Sequence, residues 1–251
     1  MGLTKANAIA WAITGGGAYL RDCVKVMEYV KNVMKLKITL FLTKWGYEVA
    51  RIFGVLPTLR AISSGGYYEE FLVGDEGMYY IGRLNTRRYL ALVIAPATAN
   101  TIAKIVSGIA DTVATALFAQ AEKSNVPIIV LPTDIPNEDG YMVTETPCYI
   151  DRNRCLEVMC RECKPLVLCS AKAIKLVEGL PRIDLSKCIG CEACLKACPY
   201  GAVKCWEKVA LVPRHIDLDN ITRLSKMRGV YVVKNPWEIA KKIEEIIKTS
   251  Y

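Results

Sequence analysis

The run Cys188-x2-Cys191-x2-Cys194-x3-Cys198-Pro199 constrains this chain more than any other feature. Intervals this short bring three thiolates onto one face of an iron–sulfur cubane, and the fourth cysteine of such a run serves a second cluster nearby. A zinc site or chance spacing is the alternative, and neither asks for this register or for the proline that follows. A partner set is therefore expected, and Cys155-x4-Cys160-x2-Cys163-x5-Cys169 supplies one with stretched intervals. The segment closing it, Cys169-Ser170-Ala171-Lys172-Ala173-Ile174, parallels Cys198-Pro199-Tyr200-Gly201-Ala202-Val203, the internal repeat expected where two clusters share one module. Crossed ligation then assigns Cys155, Cys160, Cys163 and Cys198 to one [4Fe–4S] cluster, and Cys169, Cys188, Cys191 and Cys194 to the other. A single cluster with a vestigial first set stays open, because the intervals depart from the motif and Ser170 stands where proline is usual.

Ten of the 11 cysteines lie between Cys148 and Val212. The N-terminal apolar run enters a glycine turn rather than a small-residue cleavage site, so it reads as a first strand and not an export signal. That places the chain in the cytoplasm, where thiols stay reduced and cysteines are ligands or core residues rather than disulfides. Cys23, Cys148 and Cys205, left over from the two sets, are expected as core thiols. A hydrophobic content of 52% over 251 residues can bury a large core. Every apolar run is broken by a charge, Gly or Pro before the roughly 18 residues that a membrane span needs. The formal charge of +8 counts all cysteines as neutral; two bound clusters would bring it to roughly +4. No basic tract interleaved with aromatics is left to argue for nucleic acid.

Outside the cysteine-rich stretch, strand and helix signals alternate in the manner of a parallel α/β sheet with helices on both faces. Ala8 to Thr14, Leu36 to Thr43, Tyr89 to Ala95, Val126 to Leu131 and Val230 to Val233 read as strands. Helices are expected over Tyr19 to Val33, about 46–53, two between Pro96 and Lys123, Asp219 to Lys226, and from Pro236 onward. The two middle helices are separated at Gly108, with Asp111 as the second N-cap. The organisation expected is an α/β domain over 1–147, a ferredoxin-like insertion over 148–212, and a return to the first domain over 213–251. An insertion is tied to its host at both ends, which limits its reorientation.

Thr14-Gly15-Gly16-Gly17 stands where a strand enters a helix, the place where free backbone N–H groups hold an anion. It fails as a dinucleotide fingerprint, because Leu20 replaces the third glycine and the second strand ends in Thr43-Lys44 with no acidic residue for a ribose. A mononucleotide phosphate fits better, and a plain tight turn is the alternative. The site expected lies at the carboxyl ends of the first three strands: Thr14 to Gly17, Thr43, Lys44, and the loop holding Pro96, Ala97, Thr98, Asn100 and Thr101.

Ala95-Pro96-Ala97-Thr98-Ala99-Asn100-Thr101-Ile102-Ala103-Lys104, followed by Gly108-Ile109-Ala110-Asp111, resembles a signature of the flavoproteins related to phosphopantothenoylcysteine decarboxylase. Gly82-Arg83-Leu84-Asn85, Pro132-Thr133-Asp134, and the closing Arg214, Asp217, Asn220 and Met227-Arg228-Gly229-Val230 are more similar to the archaeoflavoprotein and dihydromethanopterin reductase branch. The resemblance covers roughly 8–147 and 213–248 and implies a flavodoxin-like (Rossmann-like) domain that binds FMN, within a homo-oligomer built on trimers. It also implies loss of decarboxylase chemistry, since Gly82 stands about where those enzymes place a catalytic histidine, and Pro132-Thr133-Asp134 replaces their PxMN. His215, the sole histidine, is expected at the surface rather than in catalysis, and no catalytic residue is assigned.

The reading that results is an iron–sulfur flavoprotein carrying electrons from ferredoxin or a similar donor to FMN and on to a pterin, dihydromethanopterin by resemblance. Arg152, Arg154, Arg161 and Lys164 would steer an acidic donor to the module. The alternatives are an electron-transfer adaptor without a small-molecule substrate and a cluster-bearing regulator of nucleic acid. Iron and acid-labile sulfide analysis of anaerobically prepared protein should return about eight iron atoms per chain; about four would remove the Cys155, Cys160 and Cys163 cluster.

Overall fold

The computed structural model describes residues 7–158, 160 and 162–249. The chain opens with β1 (Ala8–Ile13), turns through the glycines into α1 (Leu20–Asn32), and continues as β2 (Lys37–Leu42), α2 (Lys44–Ile52) and α3 (Leu56–Ile62). β3 (Phe71–Val73) and the single turn α4 (Asp75–Met78) lead to β4 (Ala91–Ala97), α5 (Ala99–Val106), α6 (Val113–Lys123) and β5 (Ile128–Pro132). The chain then leaves the sheet as β6 (Met142–Glu145), β7 (Tyr149–Ile150), α7 (Arg152–Val158), α8 (Lys164–Leu168), β8 (Ile174–Val177), β9 (Leu180–Ile183), α9 (Ala193–Ala197), β10 (Val203–Lys204) and β11 (Lys208–Leu211). It returns through α10 (His215–Ser225), β12 (Val230–Val232) and α11 (Pro236–Thr249).

Six strands form one parallel sheet in the order β12-β5-β4-β1-β2-β3. The fold is the flavodoxin-like, doubly wound α/β class, and its connections reverse direction between β1 and β4. β1 shows why helices cover both faces. Its residues are buried at every position, and the two-residue period sends Ile9, Trp11 and Ile13 into the layer with α1 and α11, while Ala8, Ala10 and Ala12 face the layer with α5 and α6. Trp11 is fully buried, and its indole N–H donates to the Ala95 carbonyl at 2.8 Å, so its one polar atom is satisfied inside the core.

Element types follow the sequence expectation, except that β3 joins the sheet as a sixth strand and α4 follows it where no element was expected, and that three further details differ. The cap of α6 is Thr112 rather than Asp111, because Thr112 and Thr115 close a reciprocal capping box, while Asp111 pairs with Lys104 at 2.7 Å. α10 begins at His215, ahead of Asp219, with Arg214 gripping the buried Asp217 of its first turn through two bonds of 2.8 and 2.7 Å. α3 is an additional helix, with Pro57 in its first turn.

The segment outside the sheet is closed at its base by two antiparallel ladders, β6 with β11 and β7 with β10. Pairing of Tyr149 with Lys204 sets Cys148 opposite Cys205, and these two residues form a disulfide across 57 residues of sequence. This corrects two expectations, that both residues are core thiols and that the cysteines form no disulfide; only the ladder register reveals that they meet. Cys23 is the core thiol expected, fully buried on α1, and burial pushes its thiol far up. Among the described residues no helix is long and apolar enough to cross a membrane.

Gly46 decides how closely α2 approaches β1. A Cβ there would meet the Ile13 carbonyl oxygen and lie 2.9 Å from its carbon, both backbone atoms that have no room to yield. Gly46→Ala should therefore destabilise the protein by about 1–3 kcal/mol, as overpacking does, despite alanine's better helix propensity. Urea unfolding of the two proteins side by side measures it.

Candidate functional site

The sheet parts at β1 and β4, and there the hydroxyl of Thr14 joins the two outgoing loops. It donates to the Pro96 carbonyl at 2.7 Å and accepts from the Thr98 N–H at 2.9 Å, with Thr14 itself 1% exposed. Next to this junction lie two helix starts. Thr43 caps α2 by accepting from the Gly46 N–H at 2.9 Å, and α5 begins behind Thr98, whose hydroxyl lies 3.1 Å from that of Thr101. Unpaired N–H groups at such helix starts carry partial positive charge and suit a phosphate.

A solvent-open cavity of about 980 Å³ lies against these elements. Of the residues expected at a nucleotide site, Thr14, Gly15, Thr43, Lys44, Thr98, Asn100 and Thr101 line it. Gly16, Gly17, Pro96 and Ala97 stand behind the lining. Gly16 backs onto Thr133, whose Cγ2 would be 2.7 Å from an added Cβ, and Gly17 lies under the Phe53 ring. Pro96 and Ala97 offer carbonyls to Thr14 and to the Thr133 N–H. The structure adds Trp45, Asp75 and the Lys104–Asp111 pair to the walls. Lys104 and Asp111 stood within the matched signature; Trp45 and Asp75 gave no sequence signal beyond following a strand. Hydrogen bonding from Lys104 holds the Asp111 carboxyl below the usual carboxylate range.

The eight expected cysteine ligands separate into two groups. Cys155, Cys160, Cys163 and Cys198 line one small cavity. Cys169, Cys188, Cys191 and Cys194 line another, with Cys148 of the disulfide at its wall. Each quartet thus takes one member from the far half of the repeat, the crossed pattern drawn from spacing. Burial works to raise the Cys198 thiol, but the N–H groups of Tyr200, Ala202, Val203 and Gly201 outweigh it and hold the thiol below its ordinary value. Burial, and the proximity of Cys160, Cys163 and Cys198, raise that of Cys155. Burial, with Cys188 and Cys191 nearby, does the same to Cys194. The Ala173 N–H donates to Cys169 Sγ at 3.3 Å. Thiols gathered in mutual repulsion, with backbone N–H groups aimed at sulfur, are suited to bind positive iron and to stabilise the bound thiolates.

Gly82 lies in a short 3-10 turn whose neighbour Arg83 bonds Glu70 at 2.9 Å and lies over the rings of Tyr67, Tyr68 and Tyr80, so this stretch is held by a structural cation cluster. Asp134 accepts from the Thr133 hydroxyl at 2.5 Å. His215 is exposed at the start of α10. Arg152, Arg154 and Lys164 are exposed beside the first cysteine quartet; Arg161 lies outside the described residues.

The flavoprotein family matches residues 2–138, and the 4Fe-4S binding domain matches residues 181–204. The chain is similar to a dihydromethanopterin reductase (acceptor) of Methanosarcina mazei, 37% identical over 91% of this chain and 95% of that protein. It is equally similar, at 37% over 92% of this chain and 93% of the relative, to a dihydromethanopterin reductase (acceptor) of Methanocaldococcus jannaschii. Among solved structures, Burkholderia xenovorans DmrB in complex with FMN, described as a cubic protein cage for redox transfer, shares the fold with a TM-score of 0.61 at 24% identity, covering 98% of each chain.

Thr14→Val tests the junction of the two loops. Valine fills the same volume but removes both hydroxyl bonds and leaves the Thr98 N–H without its partner, so stability should fall by about 1–3 kcal/mol. Denaturant titration checks this, and flavin absorbance that stays with the protein on the same sample reports whether the crevice keeps its ligand.

Proposed function

Because the chain belongs to the flavoprotein family, in the branch of the dihydromethanopterin reductases (acceptor), we propose that it is an oxidoreductase that passes electrons through two [4Fe–4S] clusters to FMN and on to dihydromethanopterin. The observation that carries this reading is the sorting of eight cysteines into two separate quartets on the same chain as a phosphate-suited crevice. Both quartets surround a cavity rather than a point, as a cubane requires and a mononuclear zinc site does not. In this reading residues 148–212 are the cluster-bearing insertion, and 1–147 with 213–251 form the flavin domain, working in the cytoplasm.

Bound in the quartets, clusters would supply one-electron transfer, and FMN bound in the crevice would supply the capacity to pair two such electrons. The chain's own contribution is placement. N–H groups at the starts of α2 and α5, with the hydroxyls of Thr43 and Thr98 and the ammonium of Lys44, would hold the flavin phosphate. Gly15 and Gly16 keep the loop low: a side chain at either would strike Trp45 or Thr133. The Thr14 junction keeps the β1 and β4 loops at a fixed separation while the ligand binds. Trp45, 69% exposed at the mouth of the crevice, offers a flat face to a planar ring and an apolar surface suited to cover by a second copy in a trimer-based homo-oligomer.

Protein reduced anaerobically and titrated with dihydropterins, with flavin absorbance followed, tests the proposal. Reoxidation by dihydromethanopterin, with the tetrahydro form as product, is the expected outcome. Reoxidation only by a protein partner makes the chain an adaptor. Mass analysis of the released chromophore should give FMN at about one per chain; an adenine-containing flavin overturns the assignment of the crevice.

A further inference from the structure

We propose that the quartet of Cys169, Cys188, Cys191 and Cys194 holds the cluster that delivers electrons to the flavin crevice of the same chain, and that Arg51 and Trp206 are the positioning residues fixing it there. This rests on the reading of the quartets and the crevice given above, and adds to it the order of the sites and the joint between them.

Three contacts tie this quartet to the flavin domain. Arg51, on α2, donates to the Cys188 carbonyl through Nη1 and to the Leu185 carbonyl through Nη2 at 3.0 Å, while Nε and Nη2 hold Glu48 on its own helix at 3.1 and 2.6 Å. One planar guanidinium thus joins α2 to the loop that presents the first cysteine of the motif. Gly190, between Cys188 and Cys191, lies backbone against backbone on Gly54 at the end of α2. A Cβ on Gly190 would strike Gly54 N and Ile52 O, and one on Gly54 would strike the Gly190 carbonyl. Both glycines also have positive φ, 64° and 69°, so no other residue sits easily at either place.

The third contact is aromatic. The Trp206 indole N–H donates to Glu192, at the wall of this quartet's cavity, at 2.6 Å. Its ring packs on Phe53 with centroids 5.0 Å apart and carries Arg21 over its face at 4.9 Å. Phe53 in turn covers Gly17 of the loop after β1, where an added Cβ would lie 3.0 Å from the ring's Cε2. Cavity wall, Trp206, Phe53 and the glycine loop therefore form an unbroken packed series.

The other quartet, whose four cysteines are half-buried, makes none of these contacts with α2 and lies beside a surface hollow. Leu156, Val167 and Leu176, all more than half exposed, lie around a surface hollow shared with Cys155, Cys160 and Cys163. Exposed Arg152, Arg154 and Lys164 stand beside it, and Arg154 is braced on the Tyr200 carbonyl at 2.7 Å. An apolar centre bordered by three cations, with Glu162 the one carboxylate on its lining, suits transient docking of an acidic electron-carrier protein. Electrons then enter at Cys155, Cys160, Cys163 and Cys198 and leave from the quartet docked on α2.

The test uses the full-length protein with both clusters and flavin loaded. Flavin reduction after mixing with reduced ferredoxin is followed by stopped flow, and cluster potentials are titrated by electron paramagnetic resonance. A guanidinium beside the Cys188 carbonyl favours the more negative, reduced state of the adjoining cluster. Arg51→Leu should therefore lower the potential of one cluster and leave the other in place, and Arg51→Lys should restore most of it. Arg51→Leu and Trp206→Leu should each slow flavin reduction at least about tenfold, as small misplacements of reacting groups do, at unchanged iron and flavin content. Arg154→Leu should slow cluster reduction by ferredoxin and leave the step from cluster to flavin alone. Should Arg51→Leu fail to fold, Trp206→Phe, which keeps the ring and loses the Glu192 bond, decides through the same rate. Parent flavin-reduction rates and potentials in fully loaded variants overturn the proposal, as does slowing of the internal step by Arg154→Leu alone. A parent protein that holds no second cluster or no flavin overturns the underlying reading instead, so the two failures are distinguishable.

Discussion

The buried hydroxyl of Thr14 is the point on which the crevice depends. At a reversal between β1 and β4, the chain leaving each strand turns to an opposite face of the sheet, and the main chain joins the two departing loops there by one long bond, from the Thr14 N–H to the Pro96 carbonyl at 3.3 Å. The Thr14 hydroxyl reinforces it from a position shielded from water, with one bond donated to the Pro96 carbonyl and one accepted from the Thr98 N–H. A hydrogen bond in such a place resists exchange with solvent, and leaving either partner unpaired carries its full desolvation cost. The start of α5, behind Thr98, inherits its position from this junction, while the start of α2 is set one residue earlier on β1, where the Thr43 N–H donates to the Ile13 carbonyl at 3.0 Å and Gly46 lies against it.

A second constraint acts where the cysteine segment meets α2. Most contacts between modules joined by a chain are loose and polar. Here two glycines allow main chain to lie on main chain, and an arginine spans both sides with a rigid fork. The β6–β11 and β7–β10 ladders hold the two ends of the segment together at its base, and the Cys148–Cys205 bond adds a covalent tie there. Ladder, disulfide and α2 contact together restrict the segment in translation and in rotation, which is what a fixed separation between redox sites demands.

Much of this was legible from residue patterns. β1 announced itself as a strand covered on both faces because every position is apolar, and the alternation of Ile9, Trp11 and Ile13 with alanines shows which face receives the bulky layer. The crossed sorting of cysteines could be drawn from spacing, since the internal repeat dictates which half lends its fourth ligand. The disulfide could not, because residues 57 apart meet only through the register of two short strands. Nor could Asp111 be told from Thr112 as a cap: both residue types cap helices well, and the choice turns on the reciprocal bond from Thr115 and on Lys104 reaching Asp111.

What the sequence alone determined was therefore local or periodic: the strand and helix identities, the glycine turn after β1, and the cysteine intervals, each governed by forces acting over a few residues. What only the tertiary structure decided was adjacency between distant segments. Arg51 reads as an ordinary helix charge until Cys188 and Leu185 are brought over it, and Trp206 as a core aromatic until Glu192 and Phe53 close on either side. The physical reason is that a hydrogen bond or ring contact reaches only a few ångströms, so its partners are chosen by how helices and loops pack on the sheet and not by distance along the chain.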